Sequence, residues 1–293
     1  MEIEANQANI DWLNRLNLRG EKLSKSHRII MSYIVDNHEK AIFMTANALA
    51  KQCEISESTV VRFANAMGYD GYTELQEAIR NAAKKRLTAQ QRVSILSEIE
   101  ESQVLSAVLK NDINNIKQTT ELLDTTAFEN AVTALLGARR VCVMGLRSAA
   151  PLAQFMHHYL CHILEHVSLV QNTMSDVFED LSKFGKDDVL FAISFPRYSK
   201  TTSDGIRFAT QNGSTVIALT DSPLSPLHDA SDVCLCAATD MTSFVDSLAA
   251  PLSVINALIV RLGIAKKEAL SAHFQKMEEI WNANGVYIDR DDE

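Results

Sequence analysis

Residues 49–67 hold the part of this chain richest in groups able to read a polar surface. Ser56, Glu57, Ser58, Thr59, Arg62 and Asn65 follow one another here. On a helix, that spacing puts Ser58, Arg62 and Asn65 on one face, with Thr59 alongside. Val60, Phe63, Ala64 and Met67 take the opposite stripe at i, i+3, i+4, i+7. Arginine can donate a bidentate pair to guanine, asparagine can read adenine, and glutamate can accept from the cytosine amino group. Hydroxyls at a helix start suit phosphates or base edges. This is the chemistry of contact with duplex DNA. The competing reading is a small helical domain for protein contacts, with Arg62 in a surface salt bridge.

A second set lies in two later segments, Gly145-Leu146-Arg147-Ser148-Ala149 and Ser194-Phe195-Pro196-Arg197-Tyr198-Ser199-Lys200-Thr201-Thr202. Backbone N–H groups where a helix opens after Gly145 can hold an anion, helped by Ser148. Ser194, Ser199, Thr201 and Thr202 supply hydroxyls from the other segment. Arg147 and Arg197 add two guanidinium forks suited to phosphate or carboxylate. The competing reading pairs one or both arginines with acidic residues of the same domain.

Two other clusters carry less. His157, His158, Cys161 and His162 share one helical segment, and 158/162 have metal-compatible spacing. No HExxH or matched second cluster accompanies them, so no metal or other cofactor is expected and the histidines read as helix-surface or interface groups. Glu165 and His166 suggest an acid/base pair, but nothing places them at strand ends, so no catalytic residue is assigned. The five cysteines show no CxxC spacing and read as reduced thiols of a cytoplasmic protein.

The elements that must position these groups are legible from periodicity and punctuation. A first helix is predicted from Ser24 or Ser26 to Asn37, and a second from Ala46 to Gln52 behind Thr45. The third opens at Ser56 or Ser58 and ends at Gly68, and a fourth runs from Thr73 to Arg86. A second and third helix joined so tightly form a helix-turn-helix. From 87 to 124 there is no Gly or Pro, which predicts helical connectors whose apolar face packs on a partner chain.

Beyond residue 125 the pattern changes. Five short, continuously apolar strands are predicted at Val141–Leu146, Val167–Val170, Val189–Phe195, Thr215–Thr220 and Val233–Cys236. Helices are predicted between them at Ala150–Leu164, Asp176–Phe184 and Ser199–Asn212, with a shorter link near Pro226–Ala230 and a last helix at Phe244–Leu262. Such alternation gives a five-stranded parallel sheet with helices on both faces, and ligands bind at the carboxyl ends of its strands. The expected organisation is an all-α domain (1–86), a connector (87–124) and an α/β domain (125–293).

The formal net charge of −9 excludes a protein that coats nucleic acid, but a specific reader depends on local charge. Residues 20–86 carry 10 Lys+Arg against 8 Asp+Glu, so the helical domain is slightly basic and the remainder acidic. The chain shows no apolar run long enough for a membrane span and no signal-peptide pattern at Met1–Asn6.

Leu49-Ala50, Ile55-Ser56, Thr59-Val60-Val61-Arg62-Phe63 and Gly68-Tyr69-Asp70-Gly71-Tyr72 resemble the RpiR-type helix-turn-helix regulators. The later domain resembles the sugar isomerase (SIS) domain that those regulators carry. The resemblance spans about residues 20–265. It implies a dimer or tetramer assembled through the SIS domain, binding an operator. It also implies an anionic effector, a sugar phosphate or sugar acid. The alternatives are a SIS-fold sugar-phosphate isomerase and a metabolite-binding protein with a helical interaction domain. Two loops and one turn depart from the family pattern. The SIS loop G-x-G-x-S reads Gly145-Leu146-Arg147-Ser148-Ala149, and S-x-S-G-x-T reads Ser194-Phe195-Pro196-Arg197-Tyr198-Ser199. Glu54 stands at the turn position where the family often has Gly. Both altered SIS loops keep hydroxyls and each gains an arginine.

Overall fold

The structure is a computed structural model describing residues 24–37, 41, 44–76, 79, 89–94, 96, 99–170 and 176–287. It divides into two compact units, Met1–Ser102 and Gln103–Glu293.

In the first unit, helix α1 spans Lys25–Asp36, with Ser24 Oγ accepting from the His27 N–H at 3.3 Å. Helix α2 spans Ala46–Gln52, capped by Thr45, which accepts from the Ala48 N–H at 3.2 Å. Helix α3 spans Glu57–Ala66 and ends before Gly68, whose φ of +90° is the left-handed geometry glycine tolerates. The fourth helix opens at Tyr72; its predicted end at Arg86 lies outside the described residues. Ile30, Ile34, Leu49, Val60, Phe63 and Leu75 close a single core. The Tyr72 hydroxyl donates to the Met44 carbonyl at 2.8 Å, tying the fourth helix to the entry of α2.

A short helix, α4 (Ala89–Ser94), precedes the unit boundary. The second unit opens with α5 (Val104–Leu122) and α6 (Thr125–Gly137). Strands β1 (Arg140–Gly145), β2 (Val167–Val170), β3 (Asp188–Ile193), β4 (Thr215–Thr220) and β5 (Val233–Cys236) form an all-parallel sheet. Its order is β2-β1-β3-β4-β5, with Gly145 beside Ile193 and Val189 beside Thr215. Between strands run α7 (Ala150–Ile163), α8 (Val177–Leu181) and α9 (Lys200–Gln211); α10 (Ala249–Ala265) and α11 (Lys267–Ala283) follow β5.

Side chains alternate across the sheet. Val141, Val143, Phe191 and Leu219 enter one core, while Cys142, Met144, Leu190 and Ala218 enter another. Both faces are therefore covered, which is why the strands read as unbroken apolar runs rather than alternating ones. At the amino end, the fully buried Asp188 carboxylate is gripped by Arg139 at 2.7 Å and Arg140 at 2.8 Å, and it accepts from the Gly185 N–H at 2.9 Å. Burial raises the pKa of this carboxyl, but the two guanidinium groups and the Gly185 N–H outweigh that and hold it far below the usual carboxylate range.

Three elements differ from the expectation. Helix α8 is confined to Val177–Leu181, short of Phe184. Helix α10 begins at Ala249, not Phe244, because the segment ahead of it is pinned elsewhere: the Ser247 hydroxyl donates to Asp112 of α5 at 2.6 Å. Helix α11 was not anticipated. It leaves α10 at a 99° bend, and no Gly or Pro stands between Ala265 and Lys267 to mark the break. No single described helix is long and apolar enough to cross a membrane.

Candidate functional site

On α3, Ser56, Glu57, Ser58, Arg62 and Asn65 are exposed and Thr59 is half-buried, while Val60, Phe63 and Ala64 are buried. Ser56 takes the N-cap position, but its hydroxyl does not cap the backbone. It bonds the hydroxyls of Ser58 at 2.9 Å and Thr59 at 2.8 Å. The first-turn N–H groups therefore have no side-chain cap, leaving the positive end of the helix open to a phosphate. Arg62 lies back along its own helix, donating to the Ser58 carbonyl at 3.3 Å and the Thr59 hydroxyl at 3.4 Å. Glu57 accepts from the Asn47 side chain at 3.2 Å, which ties α3 to α2.

Sequence reasoning missed Val61. It is 37% exposed, beside Ser58 and Asn65 on the helix surface, where an apolar side chain suits a thymine methyl. Its signal was present in the sequence: in V-V-R-F only one of two adjacent valines can join the core stripe. The turn ahead of α3 is held by Glu54 at φ +53°.

The second set of candidates gathers at the carboxyl ends of β1 and β3, which are neighbours in the sheet. Gly145 ends β1, where a Cβ would lie 2.7 Å from the Ala149 carbonyl oxygen and 2.8 Å from the Ala153 Cβ. Only glycine permits so close an approach of strand and following helix. Arg147 and Ser148 are exposed on the turn that follows. After β3, the Ser194 hydroxyl accepts from the Ser199 N–H at 3.3 Å, and the Ser199 hydroxyl caps α9 by accepting from the Thr202 N–H at 3.3 Å. Thr201 is half-buried. Thr202 points inward, fully buried, and its hydroxyl has no hydrogen-bond partner among the described residues.

Arg147 and Arg197 are the notable pair. Each is exposed, neither has an ion pair among the described residues, and their φ angles are +58° and +62°. Non-glycine residues in this region are strained by roughly 1–2 kcal/mol each. Beside Arg197, the Tyr198 hydroxyl donates to Asp221 at 2.6 Å, just past the end of β4. Burial, then the Asp221 charge, pushes the phenol pKa well up and keeps it a donor. The anchor fixes the loop that displays Arg197. Tyr198 and Asp221 were also missed as site residues, since a contact across 23 positions leaves no local pattern.

The remaining clusters lie elsewhere. Glu165 and His166 precede β2 and line a cavity of about 350 Å³ beside that edge strand, with Arg140, Ser168 and Lys183. This cavity flanks the strand and does not sit over the loops that carry the arginines. His162 Nδ1 lies 2.9 Å from His273 Nε2 of α11, and His158 stacks edge-on against His162. No group of three or more His, Cys, Asp or Glu side chains among the described residues is arranged to hold a metal.

Fold and site together define a helix-turn-helix module joined to a SIS-type α/β domain. Comparison with known proteins agrees. The helix-turn-helix domain of the rpiR family matches residues 10–86, and the SIS domain matches residues 134–261. This chain belongs to the RpiR-type transcriptional regulators. Among its relatives, an HTH-type transcriptional regulator of Haemophilus influenzae is 27% identical over 226 residues, 76% of this chain and 78% of that one. The HTH-type transcriptional regulator HexR of Pseudomonas aeruginosa is 25% identical over 273 residues, 91% and 94% of the two chains. The sugar isomerase domain of an RpiR transcription factor from Sphaerobacter thermophilus superimposes with a TM-score of 0.58 at 28% identity, covering 60% of this chain and 99% of that one. Vibrio vulnificus NanR, solved with ManNAc-6P, gives 0.56 at 22% identity over 92% and 98%.

Proposed function

We propose that this regulator binds an operator as a homodimer through α3, and that an anionic carbohydrate metabolite bound at the carboxyl ends of β1 and β3 controls that affinity. The observation that carries the reading is the pair of exposed, strained arginines on adjacent loops, in a chain whose other unit presents Ser58, Val61, Arg62 and Asn65 outward. Strain of this kind persists where function holds it in place. The ligand class is a sugar phosphate or sugar acid, since guanidinium forks and N-terminal amides favour phosphate and carboxylate oxygens. The NanR complex with a phosphosugar supports the same class. Binding regulates only insofar as the ligand prefers one DNA-spacing state of the dimer to the other. The position of Glu165 and His166 before β2, away from the arginine loops, supports a regulator over an acid/base catalyst at this site.

The test is a mobility-shift assay on the protein's own upstream region at physiological salt, with and without a panel of phosphorylated sugars and sugar acids. Specific binding that shifts with one compound supports the reading. Arg62→Ala should weaken binding by roughly 10- to 100-fold and relax the sequence preference at one base pair, as loss of a bidentate base contact does. Retained affinity and specificity in that variant would remove Arg62 from the interface. Turnover of a sugar phosphate by the purified protein would replace the regulator reading with an enzymatic one.

A further inference from the structure

Helix α11 brings a second source of imidazole to the histidines of α7. His162 of α7 and His273 of α11 stand 111 positions apart in the chain, yet Nδ1 of the first lies 2.9 Å from Nε2 of the second. The two helices pack together, and both rings are half-buried at their contact. Phe274 packs on both imidazoles, and His158 meets His162 edge-on. Among the described residues, no third His, Cys, Asp or Glu is placed to complete a metal-binding group with the pair. The sequence showed only half of this arrangement, because the histidines of α7 have no matched cluster until α11 folds back against them.

Imidazole nitrogen suits zinc, nickel and copper, whereas calcium and magnesium call for oxygen. The two rings are tilted by 51°, with their centroids 5.2 Å apart. A tetrahedral cation about 2.0–2.1 Å from each nitrogen sets two imidazole centroids about 5.2 Å apart as well. The nitrogens now face each other across one shared proton. Turning each ring about its Cβ–Cγ bond aims both lone pairs at a common point while the centroids, and so the helices, stay in place. In the neutral pair the donating ring then carries its proton on its far nitrogen, so both facing nitrogens are free and no proton is lost. Burial and the neighbouring imidazoles lower the pKa of His162, which keeps its lone pair available at neutral pH.

We infer that His162 and His273 form a two-ligand clamp for a divalent cation of the zinc, nickel and copper class. Water fills the remaining positions, and the cation fastens α11 to α7. The clamp rests on neither the DNA reading nor the effector reading.

The experiment is a calorimetric titration of the full-length chain, lacking any affinity tag and treated with chelator, with zinc chloride. It is run in a Cys161→Ser background, because the exposed Cys161 Sγ lies 3.5 Å from His157 Nε2 and makes a rival pair. One zinc should bind per chain. Free zinc at ten times its dissociation constant should raise the melting temperature of the second unit by roughly 3–6 °C. His273→Gln keeps a hydrogen-bonding amide near the Nε2 position but leaves a single imidazole. It should weaken zinc binding by about 100-fold or more, as loss of one arm of a chelate does. His162→Asn should do the same from the other helix. No zinc binding in the Cys161→Ser protein, or binding that survives either histidine substitution, would overturn the clamp. Should a histidine variant lose its helical signal, X-ray absorption of the zinc-loaded Cys161→Ser protein decides: imidazole and oxygen neighbours support the clamp, and a sulfur shell overturns it.

Discussion

Replacing Arg147 or Arg197 with glycine should make the protein more stable and less responsive. Both residues have φ near +60°. Relief of the left-handed strain is worth about 1–2 kcal/mol, and the extra freedom of glycine in the unfolded chain returns roughly 0.5–1 kcal/mol of that. The net gain is about 0.5–1 kcal/mol per site, or a rise of about 1–4 °C in the melting temperature of a unit of this size. Alanine provides the control, because it removes the guanidinium yet keeps the strain and should melt near wild type. Each glycine or alanine variant should lose effector affinity by roughly 10- to 100-fold, the worth of a charge-assisted hydrogen-bonded pair. The assay is thermal unfolding of the purified variants, paired with a titration that reads effector-dependent release from DNA. Two results would refute the reasoning: glycine variants that melt no higher than the alanine ones, or glycine variants that respond to effector as wild type does.

The same logic applies to the turn of the DNA-reading unit: Glu54→Gly, at φ +53°, should stabilise that unit by about 0.5–1 kcal/mol, measured by chemical denaturation. Asp188→Asn should cost about 1–3 kcal/mol, because it takes the charge from a buried acceptor of charge-assisted bonds while the arginines still reach solvent, and a wild-type denaturation midpoint would discount the triad. His162 is depressed by burial first and then by the neighbouring imidazoles of His158 and His273. The unfolded chain therefore takes up protons before the folded one as pH falls through about 6.5. Stability attributable to His162 should be present at neutral pH and decline in that window, and His162→Phe should flatten the decline; an unchanged pH profile would remove His162 from the account.

The three non-glycine residues with positive φ among those described are Glu54, Arg147 and Arg197. Each stands where the resembling family carries glycine, so the sequence marked these sites by a mismatch in residue type. Strands were legible because a sheet covered on both faces leaves unbroken apolar runs, as in Val141–Met144. Caps were legible because Ser24, Thr45 and Ser199 are short hydroxyl side chains placed ahead of helical periodicity. What stayed hidden depends on distant partners. Phe244–Leu248 looks helical by composition, yet Ser247 is bonded to Asp112 across 135 residues. The stripe Leu270, His273, Phe274, Met277 and Trp281 is helical in spacing. It went unread because the bend at Lys266 carries no breaker residue.

Helix α5 holds the loop after β5 through main-chain atoms, the carbonyl and N–H of Asp240 and the N–H of Ala238. That grip records the path of the loop and is indifferent to the side chains at those two positions. Mutation can therefore redecorate this rim of the sheet while the helix keeps its hold. Descendants of such a chain are free to change the side chains at this rim without rebuilding how the domain is put together.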